Sequence, residues 1–367
     1  MSDWPLYPVC RAHLDELSDE LGVWQHATGT LPNRLFGYCT DDVARALEVD
    51  LLHARSLGWK TVEATAWRSM AFLRDAFNAP KGRFRNFRSA DGEWLEEFGS
   101  EDCQGRALAA LGAVATDAPD PRLAVAAAGL FEQALPAARS LKGLRPVAAA
   151  LLGCDSALEG GANDAVRGAF DTLAARLTSA FSDLPVDWPW PEPVVTYENA
   201  LLPRALIAVS RRLEDEAMLR IARRVLDWLA AAQTSHSGAL SLVGNEHWWP
   251  RGKSPSRFDQ QPIDAASLLL AAEAAFDATA EQSYRDLAEI AYGWFLGGND
   301  VSVALATPES GGCHDGLTPR GVNLNQGAES TIMWLTALEH MRRMRDASPS
   351  RQPASQGLTS SASQVVT

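Results

Sequence analysis

The chain has 367 residues, 46% of them apolar, and a formal net charge of −13. Such an acidic balance disfavours general electrostatic binding to nucleic acid or an anionic membrane and leaves a neutral or cationic small molecule. No apolar run approaches the roughly 18 residues of a membrane-spanning helix, and Met1–Arg11 lacks the basic-then-apolar pattern of a signal peptide.

The five cysteines, Cys10, Cys39, Cys103, Cys154 and Cys313, are odd in number, widely spaced and form no CxxC. Neither a disulfide framework nor a zinc knuckle is expected, and reduced thiols in a cytoplasmic protein are the simple reading. No cofactor or metal is expected, because the seven histidines are scattered without ligand spacing.

Apolar residues recur at a period near 3.6 along almost the whole chain, with breaks at Gly, Pro, Asp and Ser. The pattern predicts twelve helices, at 8–22, 40–57, 60–78, 101–116, 121–140, 143–155, 163–182, 199–211, 214–232, 262–276, 280–296 and 326–345. From Ser348 the sequence turns Ser-, Gln- and Pro-rich, as a disordered tail would. One domain over residues 1–346 and a tail over 347–367 are therefore expected.

Connection lengths alternate. Those after the second, fourth, sixth, eighth and tenth helices are short. Those at 23–39, 79–100, 183–198, 233–261 and 297–325 are long, and long loops in compact domains are usually functional. If even helices form an inner ring and odd helices an outer one, the long loops share one face and surround the N-termini of the inner helices. The expected fold is all-α, an (α/α)6 barrel, with a short β-hairpin over the cavity. That hairpin is read from Gly82-Arg83-Phe84-Arg85-Asn86-Phe87 and Glu93-Trp94-Leu95, which flank Asp91-Gly92.

Five inner helices open on acids: Asp41 and Asp42, Glu101 and Asp102, Glu198, Asp264, and Glu329. Taken singly, each acid at a helix start is accounted for by the helix dipole. Arg45 and Arg106, three and four residues beyond Asp42 and Asp102, suit ordinary helix ion pairs. Taken together in a ring, the acids converge on one pit. Partial burial and mutual repulsion then raise some pKa values, which suits general acid–base chemistry. Two carboxyl groups flanking a sugar bond are what glycoside hydrolysis requires.

The loops add aromatic and polar groups. Six of the twelve tryptophans lie in them: Trp24, Trp94, Trp188, Trp190, Trp248 and Trp249. Indole faces pack on the C–H faces of sugars, although they also staple loops to the body. The expected substrate contacts are Tyr38, Asp41, Arg85, Trp94, Glu101, Trp188, Trp190, Tyr197, His247, Trp248, Gln261, Asp264 and His314.

The segments Gly37-Tyr38-Cys39-Thr40-Asp41-Asp42-Val43-Ala44-Arg45-Ala46, Gly82–Phe87, Gly99-Ser100-Glu101-Asp102, Val195-Thr196-Tyr197-Glu198-Asn199-Ala200 and Asn325-Gln326-Gly327-Ala328-Glu329-Ser330-Thr331 carry a resemblance. The chain resembles the six-hairpin carbohydrate-active enzymes over about residues 8–345. More narrowly, it is similar to a glycosidase-like bacterial group found beside, or fused to, glycosyltransferases. The resemblance implies active-site acids at the inner-helix starts, with Asp42, Asp102, Glu198 and Glu329 as catalytic candidates, frequent inversion, and a functional link to a glycosyltransferase. The first expectation is therefore a glycoside hydrolase or phosphorylase acting on an oligosaccharide. Because the superfamily includes sugar 2-epimerases that use paired histidines, an epimerase or isomerase using His247 and His314 is the alternative. A non-catalytic glycan-binding partner is the third.

Overall fold

A computed structural model describes residues 4–161, 163–235 and 238–346. The tail expected from Ser348 lies outside these residues. Twelve α-helices are present among the described residues: α1 (Ala12–Glu16), α2 (Thr40–Ser56), α3 (Trp59–Ala76), α4 (Glu101–Asp117), α5 (Pro121–Ala138), α6 (Leu144–Glu159), α7 (Asp164–Ala180), α8 (Leu201–Leu213), α9 (Glu216–Ala232), α10 (Pro262–Thr279), α11 (Gln282–Phe295) and α12 (Ala328–Asp346).

The even helices close a ring. α2 packs on α4, then α6, α8, α10 and α12 follow in turn, and α12 returns to α2. Each even helix from α2 to α10 also packs on the odd helix that follows it, and α1 lies against α12. Burial explains which helix goes inside. α10 buries 12 of its 18 residues on all sides, whereas α9 buries only the stripe Met218, Ala222, Val225, Leu226 and Leu229. A helix apolar all round needs neighbours on every side, while an amphipathic one covers the outside. The expected (α/α)6 barrel is the fold.

α4 and α6 approach until their backbones touch. A Cβ at Gly112 would sit 2.1 Å from the Gly153 carbonyl oxygen, and one at Gly153 would sit 2.3 Å from that of Leu108. Gly112→Val is expected to lower stability by ~1–3 kcal/mol or more, because neither backbone has room to move. Chemical denaturation checks this, and an unchanged midpoint would show that the helices do not meet there.

One sequence expectation needs correction, and a second is met in short form. The first helix, expected at 8–22, is only Ala12–Glu16. Downstream, the Asp19 carboxylate accepts the N–H groups of Leu21 and Gly22 in a turn that competes with helix. The hairpin around Asp91-Gly92 is present and short: the Arg88–Trp94 bridge is flanked by the Ser89 N–H donating to the Glu93 carbonyl and the Leu95 N–H to the Phe87 carbonyl. Its first strand is divided between two partners: Arg83–Phe84 pairs with Phe77–Asn78, and Phe87–Arg88 pairs with Tyr38–Cys39.

That second pairing belongs to a larger pattern, in which the long loops are stitched to one another. Val194–Val195 pairs with Trp249–Pro250, and Gln260 bridges to Leu317. The Gly29 N–H donates to Asn325 Oδ1, and the Gln326 N–H to the Gly29 carbonyl. The loops thus form a collar on the face where the inner helices begin. Its gap falls at α6, where Glu101 Oε2 accepts the N–H groups of Lys142 and Gly143, each at 2.8 Å.

Candidate functional site

Two arginines organise the helix starts. Arg45 lies one turn into α2, so the 3.6-residue period brings it back under Asp42, which it holds at 2.8 Å. Its other amino group reaches Glu329 on α12 at 2.9 Å. Arg106 of α4 spans further, to Asp41 at 3.4 Å and Glu198 at 2.5 Å. Four acids from two inner-helix starts and the approach to α8 are therefore tied to two guanidinium groups. The i,i+4 pair expected between Asp102 and Arg106 is not made. Asp102 instead accepts the Tyr197 hydroxyl at 2.5 Å.

The approach to α8 is shaped for this. Glu198 has φ of +45°, a left-handed conformation rare in non-glycine residues and often found at functional positions. Asn199, buried beside it, accepts from the Thr196 N–H and from Arg145 of α6. Arg145 also donates to the Tyr197 carbonyl, binds Glu192 at 2.9 Å and stacks over the Tyr197 ring at 4.7 Å. α6, the inner helix without an acid at its start, thus supplies the cation that fixes Tyr197 and Glu198. Trp248, also left-handed with φ of +55°, lies 6.3 Å from the Tyr197 ring.

Burial divides the acids. Asp41, Asp42 and Asp264 are buried, while Asp102, Glu198 and Glu329 are partly open, Glu329 with 40% of its side chain exposed. Burial raises the Asp42 carboxyl to about 7, with Glu329 adding to the rise and Arg45 opposing it. It pushes Asp264 to about 8, helped by the nearby charge of Glu198. Asp264 Oδ2 has no hydrogen-bond partner among the described residues.

A native-state proton at Asp264 has a stability consequence. Unfolding releases it at any pH between the unfolded value near 4 and the folded value near 8. The unfolded chain binds fewer protons across that window, so stability falls as pH rises through it and levels off above about 8. Asp264→Asn removes this slope. The variant is expected to melt above wild type at pH 7.5, with the gain shrinking toward pH 4.5. Equal gains at both pH values would contradict a protonated Asp264.

Other expected contacts fall outside the acid cluster. Tyr38 is buried, stacks on Trp24 at 4.2 Å and donates to Asp19. Trp188 and Trp190 are buried in a tryptophan cluster with Trp228 and Trp249, where they staple loops. Arg85 turns toward the Asp75 carbonyl and Trp94, and Trp94 packs edge-on against Phe72. Glu101 holds the start of α6. Asn86, next to Arg85 and not among the expected contacts, is buried and does reach the cluster, donating to Asp41 at 2.9 Å. Gln261 caps α10, its carbonyl accepting the Asp264 N–H. His247 is 80% exposed beside Glu246. His314 is half-buried, with Nδ1 lacking a partner among the described residues.

Sequence reasoning missed Glu48, one turn beyond Arg45, and Arg204, one turn into α8. Both line a cavity of about 550 Å³ along the barrel axis. The periodicity carried a signal for both: each is a charge on an inner helix at a position where the ring has no outer face to offer it.

No family model matches the chain, and neither does any curated protein sequence. Solved structures match the fold at low identity. Cellobiose 2-epimerase from Spirochaeta thermophila is 18% identical, with 91% of this chain and 92% of that one covered and a TM-score of 0.69. A D-mannose isomerase is 12% identical, with coverages of 90% and 94% and a TM-score of 0.68. A GH76 α-mannanase from Bacteroides thetaiotaomicron is 12% identical, with coverages of 91% and 94% and a TM-score of 0.65.

Proposed function

We propose that the chain is a carbohydrate-active enzyme that cleaves a glycosidic bond with carboxylates at its inner-helix starts. The observation that carries this reading is the convergence of Asp41, Asp42, Glu198 and Glu329 on Arg45 and Arg106, with Asp102 beside them on Tyr197. Substrate touches exposed groups, so Asp102 and Glu329 are the leading acid–base pair. Asp41, Asp42 and Glu198 hold the arginines, and Tyr197 and Trp248 offer ring faces to a sugar. One carboxylic acid would protonate the leaving oxygen while the other carboxylate activates water, with inversion as the expected outcome. A cytoplasmic location and a role beside a glycosyltransferase belong to the same reading, the first resting on five free cysteines and the second on the sequence resemblance.

Epimerisation is the competing reading, favoured by the epimerase and isomerase among the fold neighbours and by the unpartnered ring nitrogen of His314. It needs a proton carrier beside the reacting carbon, the role that falls to His247 and His314 in this reading. The deciding experiment is a panel of defined oligosaccharides, with and without inorganic phosphate, followed by NMR. Two sugar products support cleavage, and a sugar phosphate product identifies phosphorolysis. A single isomeric product overturns cleavage in favour of epimerisation, and binding without turnover favours a glycan-binding protein.

A further inference from the structure

The axial cavity is lined by all six inner helices, from their first turns to their last. Its volume, about 550 Å³, falls in the range of small-molecule sites. The two ends differ. At the collar end, Arg45, Arg106 and Glu198 have side chains 6, 13 and 17% exposed. At the other end, Arg55, Arg211 and Arg343, near the C-terminal ends of their helices, are 56, 59 and 52% exposed. The mouth therefore lies at the C-terminal ends of the inner helices, on the face opposite the collar and its carboxylates.

Inside are an aliphatic belt, which includes Leu51, Leu152, Ile207 and Leu270, and two charges of opposite sign, Glu48 on α2 and Arg204 on α8. The two attract each other through space, but among the described residues neither makes an ion pair or a side-chain hydrogen bond. Every other arginine lining this cavity is paired: Arg45 and Arg106 as above, Arg55 with Asp117, Arg211 with Asp155 and Glu159, and Arg343 with Glu273. Glu48 and Arg204 are only partly exposed, so a guanidinium and a carboxylate here draw hydrogen-bond partners from whatever fills the cavity. Hydroxyl groups serve both, since they accept from one and donate to the other. A net anion is disfavoured, because seven acids face six arginines in the lining.

We propose that the axial cavity is a second ligand site, entered from the C-terminal ends of the inner helices, which holds a neutral polyhydroxylated molecule of mono- to disaccharide size between Glu48 and Arg204. Among the described residues the lining has no Trp, Tyr or Phe, so the ligand is held mainly by hydrogen bonds and aliphatic contact. The site does not depend on the reaction at the collar.

The test measures binding of D-glucose, D-mannose and cellobiose to the intact protein by calorimetry and saturation-transfer NMR, with inorganic phosphate and leucine as charged probes. Three variants are compared: Arg204→Met, Ala274→Phe, which fills the passage toward the mouth, and Glu329→Gln. At least one neutral sugar is expected to show a binding event that weakens tenfold or more in R204M, disappears in A274F and stays within twofold in E329Q. Thermal melting confirms that each variant is folded, and A274F keeps the test open should R204M fail to fold. The proposal is overturned if no neutral sugar binds, if binding is unaffected by R204M and A274F, or if only phosphate or leucine occupies the site. Should the oligosaccharide panel show no turnover while this pattern of binding holds, the hydrolase reading fails and the second site stands.

Discussion

Asp102→Asn and Glu329→Gln are each expected to lower kcat on the cleaved oligosaccharide by 10²–10⁴-fold, the usual contribution of a positioned acid or base. The amide keeps the shape of each side chain and leaves most of its contacts possible. Asparagine at 102 still accepts the Tyr197 hydroxyl. Glutamine at 329 still accepts from Arg45 through its carbonyl oxygen, and its 40% exposure makes the lost charge cheap for stability. Melting temperatures should therefore stay close to wild type while turnover collapses, and KM should move far less than kcat. The two roles are separable by an external nucleophile. Small anions such as azide can restore turnover in the variant that lost the base, but not in the one that lost the acid toward a poor leaving group. Turnover like wild type in both variants would remove carboxylate catalysis from these two positions. A loss of activity matched by a fall in melting temperature would instead assign them a structural role.

The fold was legible because its determinants are local and repeated. Helical periodicity, short turns after the even helices and acids at their starts are one-dimensional signals, and the ring follows from their alternation. The first helix misled because apolar spacing around Leu14 and Leu17 outweighed the competing Asp19 carboxylate. The site was legible only in part. Asp41, Asp42, Glu198 and Glu329 do meet, but what gathers them is a pair of arginines. Local spacing correctly joined Arg45 to Asp42, yet it joined Arg106 to Asp102, whereas Arg106 reaches across the barrel axis to Asp41 and Glu198. A cross-ring choice of partner leaves no trace in i,i+4 spacing. The tryptophans show the converse limit. Composition marks Trp188 and Trp190 as sugar platforms and equally as staples, and only their burial against Trp228 and Trp249 decides for the staple.

Arg106 is the single position whose loss should damage the molecule most. Its guanidinium is the one ion-pair partner among the described residues for both Asp41 and Glu198, and all three side chains are at most 17% exposed. Arg106→Met leaves two largely buried carboxylates without a counter-charge, which typically costs about 3–5 kcal/mol. For a chain of this size that corresponds to a fall in Tm of roughly 10 °C. Lysine at this position keeps the charge but not the two-pronged reach, so R106K should fall between the two. The pH dependence identifies the cause. Without Arg106 two largely buried carboxylates carry uncompensated charge at neutral pH. The excess destabilisation is then full at neutral pH and shrinks as pH falls toward 4, where the unfolded chain is protonated as well. Wild type and R106M should therefore converge in melting temperature between pH 7.5 and 4.5. Adding Glu198→Gln to R106M should recover part of the loss at neutral pH, because one of the stranded charges is gone. A gap in Tm that is constant with pH, unchanged by that second substitution, would mean that Arg106 acts through packing of its stem and that its charge does not hold the helix starts together.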